Sequence, residues 1–323
     1  MKICVYGAGA VGGLMAAWLA RGGHDVSVVA RGPQLDAIRR SGLRVRSEGK
    51  EETFSLRAEE DPARLGPQDY VLVVVKAQSL TQVALHIGKL LSPDTSIVTA
   101  MNGVPWWFFQ GLKKADGRLE SLDPGGVLSR AMPPERIVGC VIHLAASTPE
   151  PGLVSHNMGR RLIVGEPGGR NGPRTEDIAK ALSAAGFEVQ TSKEIEKAFW
   201  VKLLGNVSFN PVSALTMSTA DRLIEMPEVK GYMVEIMREV LAIGRAVGVD
   251  AAIDPEARID IARELGKFKT SMLQDLEAGK PLEIDGLLAG TLEIAHKAGV
   301  RAPYTESLFG LIRARAASTG QYR

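Results

Sequence analysis

The chain has 323 residues, 45% of them hydrophobic, which is enough for two domains with cores of their own. With 39 basic against 37 acidic residues the formal net charge is +2, so there is no global electrostatic case for nucleic acid or an anionic membrane as partner. Only two cysteines occur, Cys4 and Cys140, each in an apolar strand-like run, which argues against a disulfide framework and a thiolate metal site and fits a reducing cytoplasm.

In chain order, "KICVYGAGAVGGLMAAWLA" joins a β-rich run to an apolar helix through a glycine turn. "HDVSVVAR" follows as a second strand and completes a βαβ unit. The strand pattern opens at Ile3, leaving no room for an export signal, and no apolar run reaches the roughly 18 residues of a membrane span. Strand-like runs recur at Leu43 to Arg46, Thr53 to Leu56, "YVLVVVKA" and "SIVTAMNG", with a helical stretch from Leu80 to Leu91. A fully apolar "VLVVV" suits a strand covered on both faces, so the pattern predicts an α/β domain built on a Rossmann-type, doubly wound parallel sheet. The stretch from Gly111 to Pro134, with "KKADGR", "DPGG" and "MPPE", reads as a surface excursion with room for a short helix. Beyond it come "RIVGCVIHLAAS", "GLVSHN" and "RLIVGEP", three β-type runs expected in part as antiparallel additions to the sheet. A helix over Thr175 to Ala185 and the strand "FEVQTS" follow. Long helical patterns take over from Lys193. The predicted division is a Rossmann-type domain at 1–192 and an all-helical domain at 193–323.

Gly7-Ala8-Gly9-Ala10-Val11-Gly12 matches G-x-G-x-x-G, and it lies between a strand and a helix. The first glycine permits the tight turn, the second lets backbone approach a pyrophosphate, and the third packs helix on strand. The helix start then offers unpaired N–H groups and a partial positive charge to phosphates. The second strand ends at Arg31, where an NAD-binding fold usually carries Asp or Glu. A guanidinium suits a 2′-phosphate, which predicts NADP(H) rather than NAD(H). Lys76 closes "VLVVVK" at the sheet edge where such folds bind ligands; a solvated lysine and a ligand contact fit that position equally.

In "FWVKLLGNVSFNPVSAL" the polar residues Lys202, Asn206 and Asn210 stand four apart, so on a helix they form one stripe on an otherwise apolar surface. Pro211 has no N–H to donate and disfavours helical geometry at the residue before it, so a break or kink is expected near Asn210. "TSMLQDLEAGKPLEIDGLLAG" places Ser271, Gln274 and Asp275 on one helical stretch and Glu283 and Asp285 ahead of another. By itself "EID" reads as helix N-terminal chemistry. The five histidines show no metal-ligand spacing, so no metal is expected. "PWWFFQ", just after Asn102-Gly103, could wall an active site or belong to the core.

Taken together, "GAGAVGG", "VVKA", "MNG", "FWVKLLGNVSFNP", "SMLQD" and "EID" occur in an order that resembles the ketopantoate reductases (2-dehydropantoate 2-reductases) over nearly the whole chain. The resemblance implies NADPH-dependent reduction of a 2-keto acid, a step of pantothenate biosynthesis, in a cytoplasmic enzyme. By motif position Lys202 would be the proton donor, Asn206 and Asn210 would hold the substrate, and Ser271 would bind its carboxylate end. Glu283 would sit by the lysine, the substrate hydroxyl and the nicotinamide ribose. Asn102 and Lys76 match positions lining cofactor and active site, Ala145 a backbone position beside the cofactor, and Arg31 the arginine for the 2′-phosphate. The chemistry is consistent: hydride addition to a ketone leaves negative charge on oxygen, which a lysine can protonate and neighbouring amides can stabilise.

Some features depart from the family pattern. The Gly111 to Pro134 excursion is long, the aromatic run replaces a more polar helix start, and Ala220 stands where another substrate-facing Asn is expected. A reductase of another branched 2-keto acid is therefore an alternative. A β-hydroxyacid dehydrogenase is a second, although its lysine usually precedes Asn by three residues rather than four. A catalytically silent NADPH-binding sensor or scaffold is the non-enzyme alternative. The apolar helical surface allows a homodimer.

Overall fold

Strand β1 (Lys2–Tyr6) buries Ile3, Cys4 and Val5 in succession, as a strand covered on both faces must. The glycine turn leads into helix α1 (Ala10–Arg21), apolar on nearly every side and buried from Gly12 to Leu19. Strand β2 (Asp25–Val29) returns parallel to β1, with Lys2 opposite Asp25. The computed structural model describes residues 1–112, 117–264 and 266–322. The charged run at 113–116, expected on the surface excursion, lies outside the described residues.

Helix α2 (Gly32–Ser41) leads to β3 (Leu43–Ser47) and β4 (Lys50–Phe54), an antiparallel pair, and then to β5 (Arg57–Glu59). Strands β6 (Tyr70–Val73), β7 (Ser96–Thr99) and β8 (Ile137–Glu150) follow, with α3 (Leu80–His86) after β6 and the short α4 (Val127–Ala131) before β8. Parallel pairing runs β5-β2-β1-β6-β7-β8. From β1 the chain lays β2 beside it and, after sending the β3–β4 pair to the opposite edge of the sheet, adds β5 beyond β2; it then returns to place β6 on β1's other side. That reversal opens a crevice at the carboxyl ends of β1 and β6, where doubly wound sheets take their ligands.

The three β-type runs expected after the excursion fold as two long strands, β8 and β9 (Leu153–Gly165), joined antiparallel. Gly159, at φ 72°, lies at a shift of register between them, so it bends the strand as a bulge instead of ending it. Beyond β9 come α5 (Pro173–Ala184) and β10 (Glu188–Thr191), the latter parallel to β9.

Helices then follow without further strands: α6 (Ile195–Thr216), α7 (Ala220–Glu225), α8 (Pro227–Ala246), α9 (Pro255–Glu264), α10 (Ser271–Glu277), α11 (Gly290–Lys297) and α12 (Pro303–Ser318). A π-helical turn, Asp285–Ala289, leads into α11. The chain divides into two compact units, residues 1–101 with 126–195, and residues 102–125 with 196–323. Each has its own core. The described residues contain no helix long and apolar enough to cross a membrane.

Helix α6 runs unbroken through Pro211, against the expected break. Losing an N–H donor in a helix interior costs about 3 kcal/mol, but Phe209 and Val212 are 4% exposed and Ala214 fully buried. Packing of these side chains holds the helix together past the proline. The Trp200 indole N–H, donating to the Val240 carbonyl at 3.1 Å, anchors the same helix to α8.

Candidate active site

In the first unit the glycine turn has the shape its spacing predicts. Gly7 stands at φ 107°, and a Cβ there would lie 2.6 Å from the Val74 carbonyl oxygen. A Cβ on Gly12 would lie 1.9 Å from the Gly7 oxygen, so both glycines are sterically required. Gly9 differs: it is exposed, and a Cβ would meet nothing within 4 Å. It also caps α1, whose first turn has no side-chain cap and no acid. Backbone N–H groups with open space before them, at a helix N-terminus free of negative charge, suit a pyrophosphate. Ala8 is buried, while Ala10 and Val11 are half-buried beside them.

Gln34 of α2 holds this turn in place, donating from Nε2 to the Ala8 carbonyl at 2.7 Å and accepting the Gly152 N–H at 2.9 Å. No spacing rule pointed to it. Arg31 is exposed and caps α2 directly after β2. Lys76 is half-buried just past β6, and Ala145 is half-buried where β8 shifts register against β9.

In the second unit, α6 presents Lys202 and Asn206 half-buried and Asn210 8% exposed along one stripe. Lys202 Nζ donates to Asn102 Oδ1 at 2.9 Å, across 100 residues of sequence. A small polar cleft is lined by Asn102, Asn210, Ser271, Met272, Asp275, Glu283 and Leu287. Asp275, next to Gln274 in "SMLQD", therefore joins Asn210, Ser271 and Glu283 without having been singled out for a role.

Two contacts bring Asn102 and Glu283 together. Gly103, at φ 80°, packs so closely that a Cβ would lie 2.3 Å from the Gly286 oxygen, and the Val104 N–H donates to that oxygen at 2.8 Å. On the other side, buried Gln321 donates from Nε2 to the Lys280 carbonyl at 2.7 Å and the Asp275 carbonyl at 3.2 Å, while its own carbonyl accepts the Leu282 N–H at 3.1 Å. The Tyr322 hydroxyl donates to Asp285 Oδ1 at 2.8 Å. Glu283 is thus bracketed between Leu282 and Asp285, both held by the same stretch. The aromatic run is core: Trp106, Trp107, Phe108 and Phe109 are all buried, and Phe108 stacks on Trp200 at 5.3 Å. Ala220 is fully buried at the start of α7. No group of three or more His, Cys, Asp or Glu among the described residues could hold a metal ion.

Comparison with known proteins yields a consistent set of likenesses. The family described as "Ketopantoate reductase PanE/ApbA" matches residues 3–169, and "Ketopantoate reductase PanE/ApbA C terminal" matches residues 194–316. The 2-dehydropantoate 2-reductase of Mesorhizobium japonicum is 41% identical over 325 residues, covering 100% of each chain. A solved structure from Ralstonia solanacearum MolK2 superposes with a TM-score of 0.96 at 44% identity over 99% of each chain. A D-mandelate dehydrogenase solved with NADH and anilino(oxo)acetate shares the fold, with a TM-score of 0.86 at 20% identity over 99% of each chain.

Proposed function

The chain belongs to the ketopantoate reductase family of oxidoreductases, and on that premise we propose that it reduces 2-dehydropantoate (ketopantoate) to pantoate with NADPH. The observation that carries the reading is the Lys202 ammonium directed by Asn102, in a unit whose cleft gathers Asn210, Ser271 and Glu283.

The residues around the glycine turn fit a dinucleotide: Gly9 opens onto free space at a helix start without a side-chain cap, and Arg31 stands exposed just past the end of β2. Gly7 to Gly12 would hold the pyrophosphate through backbone N–H groups, and Arg31 would pair with the 2′-phosphate. Lys76, Ala145, Asn102 and Glu283 would contact the remainder of the cofactor. The bound reduced nicotinamide supplies the hydride.

Lys202 protonates the keto oxygen as negative charge grows there. An ammonium has three N–H donors, so Asn102 can direct it without exhausting them. The neutral amine left after transfer regains a proton from water. Asn206 and Asn210, one and two turns along, donate to and accept from substrate oxygens. Ser271 donates to the carboxylate end, and Glu283 accepts from Lys202 and the product hydroxyl.

A second reading, reduction of a 2-oxo acid with a different substituent, is favoured by the fold shared with D-mandelate dehydrogenase, which was solved with anilino(oxo)acetate and NADH. Loss of nicotinamide absorbance with ketopantoate and a panel of other 2-keto acids, each with NADPH and NADH, decides between them. Efficient turnover of another acid and none of ketopantoate would sink the first reading and leave the second.

A further inference from the structure

Helix α9 begins under Asp254, whose carboxylate accepts the Ala257 N–H at 3.0 Å, and carries Arg258 in its first turn. A cation gains nothing from the dipole at that end of a helix, where acids are favoured. Its guanidinium lies instead against the backbone of α6: a Cβ at Gly205 would come within 2.3 Å of Arg258 Nη2 and 3.0 Å of Cζ. The absence of a Cβ at Gly205 leaves room for the guanidinium at this distance from the helix. The neighbouring acids of α9 are engaged elsewhere, Glu256 with Lys230 at 2.6 Å and Asp260 with Arg263. Among the described residues the Arg258 guanidinium has neither an ion pair nor a hydrogen bond, and burial pushes its pKa below the ordinary arginine value with no carboxylate opposing the shift. A partly buried charge without a partner is costly, and a hydrogen-bond acceptor placed there would lower that cost.

On α6, Gly205 lies about 60° around the axis from Lys202, on the flank away from Asn210, which lies about 80° to the other side. Asn210 shares its cleft with Ser271. Under the proposed function, on which this inference rests, the carboxylate end of the keto acid takes the Ser271 flank and the keto oxygen meets Lys202. The far end then falls toward Gly205 and Arg258, since helix residues three apart are only about 5–6 Å from each other. The geometry points to Arg258 as the specificity-determining residue that recognises an oxygen-bearing group at the end of the 2-keto acid remote from its carboxylate. For ketopantoate that group is the terminal hydroxyl. A guanidinium donates and never accepts, so an analogue lacking the oxygen leaves it unpaired and is rejected.

Pantoate and 4-deoxypantoate differ by this one oxygen. Their Kd values are measured by calorimetry with NADP+ present, for the wild type, Arg258→Met and Gly205→Ala, with circular dichroism melts to confirm folding. The wild type is expected to prefer pantoate by on the order of 10- to 100-fold, and both variants to lose that preference by weakening pantoate alone. Arg258→Lys, which keeps the charge but not the planar fork, recovers part of it. Parallel weakening of both ligands marks a structural role and overturns the proposal, as does a wild type without the preference. Turnover is assayed separately. Ketopantoate reduction with the preference intact in the variants sinks the arginine assignment alone; discrimination in binding without reduction of any 2-keto acid sinks only the proposed function.

Discussion

Gly103→Ala tests whether the contact between 102–104 and 286 holds the catalytic geometry. An L-residue in the left-handed region costs about 1–2 kcal/mol, and Gly103 stands at φ 80°. The new Cβ would sit 2.3 Å from the Gly286 oxygen, against an ordinary contact of 3.4 Å, so the two backbones must part by about an ångström. That movement breaks the Val104 N–H to Gly286 hydrogen bond of 2.8 Å, worth about 1 kcal/mol net. The sum is a loss of about 2–3 kcal/mol, or a fall in Tm of about 4–12 °C for a domain of this size. Asn102 moves with its neighbour, and a displacement of this size carries its Oδ1 out of reach of Lys202 Nζ, now at 2.9 Å. Misplacement of a reacting group by about 1 Å can cost about 100-fold in rate, so kcat/KM should fall by that order. Thermal melts and initial rates on the same preparation check both numbers. A normal melt refutes the steric argument. A lowered melt with normal kcat/KM refutes the link to catalysis.

Lys202→Ala should lower kcat by about 100- to 10,000-fold with the fold intact by circular dichroism; a near-normal rate removes this lysine from the chemistry. Arg31→Ala should raise the KM for NADPH much more than that for NADH, by on the order of 10-fold or more, and equal effects on both would argue against a 2′-phosphate contact. Glu166 is 4% exposed and accepts from Arg174, from Thr175 Oγ1 at 2.7 Å and from the Gly172 N–H at 2.9 Å. Burial pushes its pKa up, but these donors outweigh it and hold the carboxyl below the usual glutamate value. A depressed folded pKa stabilises above the unfolded value of about 4.3, and that stability is lost as pH falls through the folded pKa. Urea unfolding of wild type and Glu166→Gln should therefore differ at neutral pH and converge in acid; a constant gap across the range would contradict the assignment.

Local features were the most legible. The glycine turn occupies consecutive residues between a strand and a helix, so its shape follows from spacing and sterics alone. The polar stripe of Lys202, Asn206 and Asn210 was legible for the same reason, because a helix brings residues four apart onto one face. Pro211 misled because propensity speaks for the isolated helix, whereas Val212 and Ala214 are packed into a core. The bulge at Gly159 likewise turned two apparent strands into one. The approach of Asn102 to Lys202 and the seat of Arg258 on Gly205 leave no periodic trace, since each joins segments distant in sequence whose meeting is decided by packing.

The bracing of Glu283 by Gln321 sets an order of events during synthesis. The residues that would grip a dinucleotide phosphate, Gly7 to Gly12, belong to a unit whose chain is complete by Ile195. Leu282, beside Glu283, gains its backbone partner only when Gln321 has left the ribosome. Under the proposed function, a ribosome stalled between these points would carry every residue assigned to the dinucleotide phosphates but not the pairing that braces Glu283.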